Sequence, residues 1–157
     1  MAFPIDWHEA LRDSTRLLIA YVLAVPVGWY REKEAHSVGL RTFPLVSMAS
    51  CGYVLLSMPG ASWTVDAQSR VIQGLVAGIG FIGGGAILRA QGNVHGTATA
   101  ASIWNTGVLG AAVAQDRFFL AIVLAVMNLF ALRVLLPLKM KIDHTPPDRP
   151  IEPGEPR

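Results

Sequence analysis

The chain has 157 residues, 52% hydrophobic and 15% charged, with a mean hydropathy of +0.43 and a formal net charge of +2. A soluble domain carries roughly 25% charged residues to face water, so this composition argues against a water-soluble globule and for lipid as solvent. The dispersed basic residues form no cluster with interleaved aromatics, which excludes a nucleic-acid surface. One cysteine, Cys51, excludes an internal disulfide or a thiolate metal cluster and reads as a buried structural thiol.

Residues 1–13 mix Asp6, His8, Glu9, Arg12 and Asp13 with Phe3, Ile5, Trp7 and Leu11, and read as an interfacial segment lying on a membrane surface. The first apolar segment, Ser14–Trp29, has Arg16 near its start and Pro26 inside it. Further apolar segments follow it, so it reads as a span and not as a signal peptide. A hydrophilic stretch, Arg31–Thr42, leads to the second segment, Phe43–Met58, which ends at the turn signal Pro59-Gly60. After Ala61–Arg70, the third segment, Val71–Leu88, contains no charge and stops at Arg89. The fourth covers Thr97–Ala114, and a polar turn, Gln115-Asp116-Arg117, joins it to the fifth, Phe118–Leu138. Lys139–Arg157 carries prolines at 146, 147, 150, 153 and 156 and reads as a disordered tail. The predicted fold is an all-α integral membrane protein. Residues 14–138 form a bundle of about five transmembrane helices with a glycine-rich third helix.

An odd number of spans puts the termini on opposite sides. Arg12, Arg16, Arg70 and Arg117 fall on the N-terminal side, against Arg31, Lys33, Arg41, Arg89, Lys139, Lys141, Arg149 and Arg157. That bias predicts an outside N-terminus and a cytoplasmic C-terminus.

Residues 74–85 contain Gly78-x-Gly80-x-x-Gly83, the spacing of a dinucleotide fingerprint. The strand, the following helix and the acidic residue that such a site needs are missing, as is a Walker lysine, so no nucleotide cofactor is expected. In lipid, glycines let helix backbones approach closely. Gly74 with Gly78, and Gly80 with Gly84, share helical faces, and Ala100, Ala101, Gly107, Gly110 and Ala111 make a small face on the fourth segment. Gly74, Gly78, Gly80, Gly83, Gly84, Gly85, Gly107 and Gly110 are thus expected packing positions. A bend at Gly83-Gly84-Gly85, with carbonyls freed to line a cavity, is the alternative.

None of the five segments contains Asp or Glu. Magnesium prefers carboxylate or phosphate oxygens, so direct divalent transport by a monomer is poorly supported. Gln73, Thr97, Thr99, Ser102, Asn105, Thr106 and Asn128 are the polar groups within or beside spans, and are expected to hydrogen-bond between helices. Arg133 is expected to snorkel to headgroups. Trp7, Trp29, Tyr30 and Trp63 read as interfacial anchors. His8, His36, His95 and His144 lack ligand spacing, so no metal site is assigned. No nucleophile–base pair is visible, and no enzymatic activity is expected.

Gly39-Leu40-Arg41-Thr42, Asp66-x-x-x-Arg70, the run Gly78–Gly85, Asn93-Val94-x-Gly96, Thr99-Ala100-Ala101-Ser102-Ile103-Trp104, Gly107 and Gly110 occur in an order that resembles the MgtC/SapB family. The resemblance covers roughly residues 15–135. It implies a bacterial inner-membrane protein linked to growth in low magnesium and, in pathogens, to survival inside macrophages. The roles it implies are a magnesium-transport accessory protein or a regulator of membrane ATPases. Carried over position by position, it marks Arg41, Asp66, Arg70, Asn93 and the Gly78–Gly85 glycines as the family site. Arg41 would meet a lipid phosphate or a partner carboxylate, Asp66 and Arg70 would pair at i, i+4, and Asn93 would take a left-handed turn position. Where family members show Gly-x-Glu-Arg-Glu after the first span, this chain has Gly28-Trp29-Tyr30-Arg31-Glu32; Thr97 stands in a place usually held by Leu. Longer members carry a soluble C-terminal domain, and this chain reads as the membrane part alone.

The expected function is regulation of another membrane protein, such as a membrane ATPase, through helix contacts, with homo-oligomers as a further possibility. The alternative is a transporter or channel with a midplane site at Asn105, Thr106 or Asn128.

Overall fold

Asp6 opens the first helix by accepting hydrogen bonds on Oδ1 from the backbone N–H groups of His8 (2.9 Å) and Glu9 (3.4 Å), the capping geometry that short acidic side chains favour. A computed structural model describes residues 6–35, 39–58, 65–90 and 93–135. It contains α1 (Trp7–Ala35), α2 (Thr42–Leu56), α3 (Val65–Gly85), α4 (Thr97–Ala114) and α5 (Phe118–Phe130), which continues into a π-helical turn at Ala131–Leu135. Between α3 and α4 lies an antiparallel ribbon, β1 (Leu88–Ala90) and β2 (Asn93–His95), pairing Leu88 with His95 and Ala90 with Asn93. The ribbon is an addition to the all-α expectation. The tail Lys139–Arg157, with His144, and also His36, Pro59-Gly60 and Trp63 lie outside the described residues.

Two boundaries differ from the sequence reading. α1 runs unbroken across position 13, and it continues six residues past Trp29. The sequence from Arg31 to Ala35 is Arg-Glu-Lys-Glu-Ala, all strong helix formers, so nothing in it stops the helix. Arg31 therefore belongs to the bundle and not to a loop.

α4 is the central element and contacts α1, α2, α3 and α5. Its glycines explain how. A Cβ added at Gly110 would collide with the Ser47 carbonyl oxygen on α2, and one at Gly107 with the Ile79 side chain on α3. The backbones of α2 and α4 thus approach to a distance that only glycine allows. Around this contact, Val54, Leu109, Val113, Ala114, Ala121 and Ala20 form one buried cluster; Val27, Phe43, Ile79, Ile103 and Leu132 form a second. Ser47 Oγ donates to the Ala20 carbonyl at 2.7 Å and ties α2 to α1.

α3 behaves differently. Of its residues Ile79 and Gly83 are buried, and a Cβ added at Gly83 would lie 3.3 Å from the Ala100 carbonyl oxygen. At Gly74, Gly78, Gly80, Gly84 and Gly85 an added Cβ meets nothing within 4 Å. Close packing expected at those five positions is not made among the described residues. GxxxG spacing marks a face that can pack closely, but α4 meets α3 along the Ile79–Gly83 face instead. α3 stays helical through Gly85, and the alternative of a bend at Gly83-Gly84-Gly85 is not seen; the chain turns at Ala86 and enters the ribbon.

Between the ribbon and α4, Gly96 adopts φ +86°, and a Cβ there would collide with the Ala86 carbonyl oxygen, so both the conformation and the space require glycine. At the other end of α4, Asp116 takes φ +57°, and the Arg117 N–H closes the turn on the Ala112 carbonyl at 2.9 Å. Among the described residues, Phe118–Leu135 is long and apolar enough to cross a membrane, with a mean hydropathy of 2.4; α2 is apolar but shorter.

Gly110→Ala is expected to lower unfolding stability in detergent by about 1–3 kcal/mol through overpacking against Ser47. Gly78→Ala is expected to be neutral or stabilising by up to about 1 kcal/mol. Thermal unfolding followed by circular dichroism checks both.

Candidate functional site

The last turns of α1 carry a series of polar side chains, each directed to a different element. Arg31 is 6% exposed and donates a hydrogen bond from Nη2 to the Thr99 hydroxyl in the first turn of α4. Glu32 Oε2 accepts the Leu40 N–H at 3.0 Å, which holds the approach to α2. Tyr30 donates its hydroxyl to the Leu132 carbonyl at 3.3 Å, and the Arg133 guanidinium lies 5.7 Å from the Tyr30 ring centroid, within cation–π range. Gly28 permits this convergence, because a Cβ there would lie 2.9 Å from the Gly39 carbonyl oxygen. Gly28–Glu32 therefore ties α1 to the α2 entrance, to α4 and to the π-helical turn after α5.

Several motif residues gather at this end of the bundle. Thr99 is buried beneath Arg31. Arg41 immediately precedes α2, exposed and making no side-chain cap. Asn93 sits in extended β2 opposite Ala90, and not in a left-handed turn; the left-handed position is Gly96, three residues on. Gly83, Gly84 and Gly85 end α3 here.

Asp66 and Arg70 do not join them. Both are exposed on the first turns of α3, roughly 28 Å (Asp66) and 22 Å (Arg70) from Gly85 at about 1.5 Å per residue. The expected Asp66–Arg70 ion pair is not among the ion pairs formed by the described residues. Asp66 suits the positive end of the helix on its own.

The far end has its own tie, which the sequence reading missed. Arg16, 8% exposed, grips Asp116 with both arms of its guanidinium, Nε to Oδ1 at 2.9 Å and Nη2 to Oδ2, with Asp13 3.6 Å from Nη1. An arginine inside an apolar segment and an aspartate in the turn after the fourth segment were the available signals. Nothing local links positions 100 residues apart.

Between the two ends the interhelical amides are reciprocal. Asn105 on α4 donates to the Leu124 carbonyl of α5 at 3.1 Å, and Asn128 on α5 donates to the Ser102 carbonyl of α4 at 3.4 Å. Thr106 bonds back to Ser102 within its own helix at 2.7 Å, and Gln73 is exposed. α2 and α3 flank an apolar groove of about 740 Å³ that includes Gly74 and Gly78. Every buried charged side chain among the described residues is an arginine, and no group of three potential metal ligands occurs among them. These two buried arginines position helices, Arg16 against Asp116 and Arg31 against Thr99.

Residues 17–141 match the MgtC family, whose members are membrane proteins. The chain is 36% identical to protein SrpB of Synechococcus elongatus over 69% of its own length and 64% of SrpB. It is 32% identical to YhiD of Escherichia coli K12, named as a candidate magnesium transporter, over 81% of this chain and 62% of YhiD. It is 32% identical to protein MgtC of Salmonella typhimurium over 83% of this chain and 55% of MgtC. The chain thus spans between about half and two thirds of the length of these relatives. No solved structure matches it.

Removing the Thr99 hydroxyl leaves a buried guanidinium one hydrogen bond short. Thr99→Val is expected to cost about 1–3 kcal/mol, and Thr99→Ser to stay near the parent; unfolding midpoints of the two variants check this.

Proposed function

Because this chain belongs to the MgtC family, we propose that it is a multi-pass protein of the bacterial inner membrane that supports magnesium homeostasis. The match to relatives that include MgtC and the candidate magnesium transporter YhiD carries this reading. The architecture supports the multi-pass part. α1, α2, α3, α4 and Phe118–Leu135 contain 29, 15, 21, 18 and 18 residues. At about 1.5 Å per residue they run from roughly 22 to 43 Å against a hydrocarbon layer of about 30 Å. Their outward faces carry Leu18, Val22, Leu45, Tyr53, Phe81, Ile82, Phe119 and Val126, all exposed, an apolar surface suited to lipid. The excess of basic residues on one side favours a cytoplasmic C-terminus.

In this reading the protein is non-catalytic and regulates another membrane protein, such as a membrane ATPase, by helix contacts. Two buried arginines and no buried carboxylate among the described residues favour regulation over conduction, because Mg²⁺ is bound through carboxylates or phosphates. A transporter with a site near Asn105, Thr106 and Asn128 is the competing reading, favoured by the amides placed between α4 and α5.

A strain lacking the gene is expected to grow poorly in magnesium-limited medium and normally in replete medium. The parent chain should restore growth, and Arg31→Leu, at equal membrane level, should fail to do so. Normal growth of the deletion strain in limiting magnesium would remove the magnesium role.

A further inference from the structure

The α4–α5 seam contains a notch of about 460 Å³ bordered by Ala98, Ala101, Ser102, Asn105, Asn128 and Ala131. Asn128 is 7% exposed and Ser102 is 4% exposed. Each carboxamide spends one N–H on a main-chain carbonyl across the seam and retains a second N–H and its oxygen. Among the described residues no hydrogen bond reaches Ser102 Oγ, Asn105 Oδ1 or Asn128 Oδ1. Asn128 is the eleventh of the 18 residues from Phe118 to Leu135, about 15 Å from one end and 10 Å from the other. Asn105 lies opposite Leu124, about 9 Å and 16 Å from the same ends. The two amides therefore straddle the middle of the span.

At that depth no water satisfies a polar group, and lipid tails supply neither donor nor acceptor. Whatever covers the notch has to bring both. Copies of one membrane protein insert in one orientation, so a two-fold axis along the bilayer normal places every group against its equivalents at equal depth. A carboxamide, being donor and acceptor at once, is then its own complement: Asn128 meets Asn128 of the partner subunit, and Asn105 its own equivalent. Ala98, Ala101 and Ala131 at the rim let backbones approach. The apolar α2–α3 groove makes no such demand, since an acyl chain can fill it.

We infer that the α4–α5 notch is the contact between two copies of this chain, sealed by Asn105, Asn128 and Ser102. The inference rests on the multi-pass reading above and names its self-association surface. Cys51, the single native thiol, is buried, so introduced cysteines report without interference. In native membranes under mild oxidant, Ala101→Cys is expected to give a disulfide-linked dimer and Gly78→Cys, in the α2–α3 groove, a monomer. Adding Asn128→Leu should cut the Ala101→Cys dimer about threefold to tenfold, and Asn128→Gln should restore part of it. Ser102→Ala keeps every hydrogen bond within the chain and should lower the dimer about twofold, which covers the case in which Asn128→Leu loosens the α4–α5 seam. Monomer at Ala101→Cys, dimer at Gly78→Cys alone, or an Ala101→Cys dimer indifferent to both Asn128→Leu and Ser102→Ala overturns the inference. A membrane-resident monomer overturns it while leaving the multi-pass reading intact; chain missing from the membrane fraction overturns both.

Discussion

The register of α1 against α4 is set by two arginines on one helix that reach two points on the other. Arg16 holds Asp116 at one end and Arg31 holds Thr99 at the opposite end. Fifteen residues separate the arginines and seventeen separate their partners, roughly 22 Å and 25 Å at about 1.5 Å per residue. Antiparallel helices of matched length can satisfy both ties in one register. A shift by a turn would strand a buried guanidinium, which costs far more than a lost surface pair. With α4 held in place, Gly107 and Gly110 bring α3 and α2 against it, and Asn105 and Asn128 fasten α5.

Much of this was legible in the sequence, though unevenly. The order of apolar segments gave the five helices, because apolar runs bounded by Pro-Gly and by Gln-Asp-Arg have few other readings. The boundary of α1 was misplaced because charged residues were taken to mark a loop. Arg, Glu and Lys are good helix formers, and Arg31 is buried because Thr99 receives it. The glycine signal holds at Gly83, Gly107 and Gly110 and not at the other α3 glycines. Spacing shows which face is small, but only the partner decides which face is used, and α4 used Gly107 and Gly110 while α3 left Gly74 and Gly78 open. Asp66 and Arg70 had the spacing of a pair without an environment that would reward pairing.

The candidate site was half legible for the same reason. Arg41, Thr99 and Asn93 were singled out from their motifs, yet the residue that organises their end of the bundle is Arg31, whose role depends on contacts 68 positions away. Tyr30 spans to the Leu132 carbonyl and lies beneath Arg133, supplying an interhelical hydrogen bond and a ring contact. α3 stands at the margin of the bundle with most of its surface open.

We propose that this bundle, whose buried charges among the described residues are arginines, regulates magnesium balance and does not carry the ion. Magnesium uptake into proteoliposomes containing only the purified, correctly inserted chain, compared with empty liposomes, tests that most directly. The account predicts uptake indistinguishable from the empty vesicles; saturable uptake that scales with protein content would contradict it.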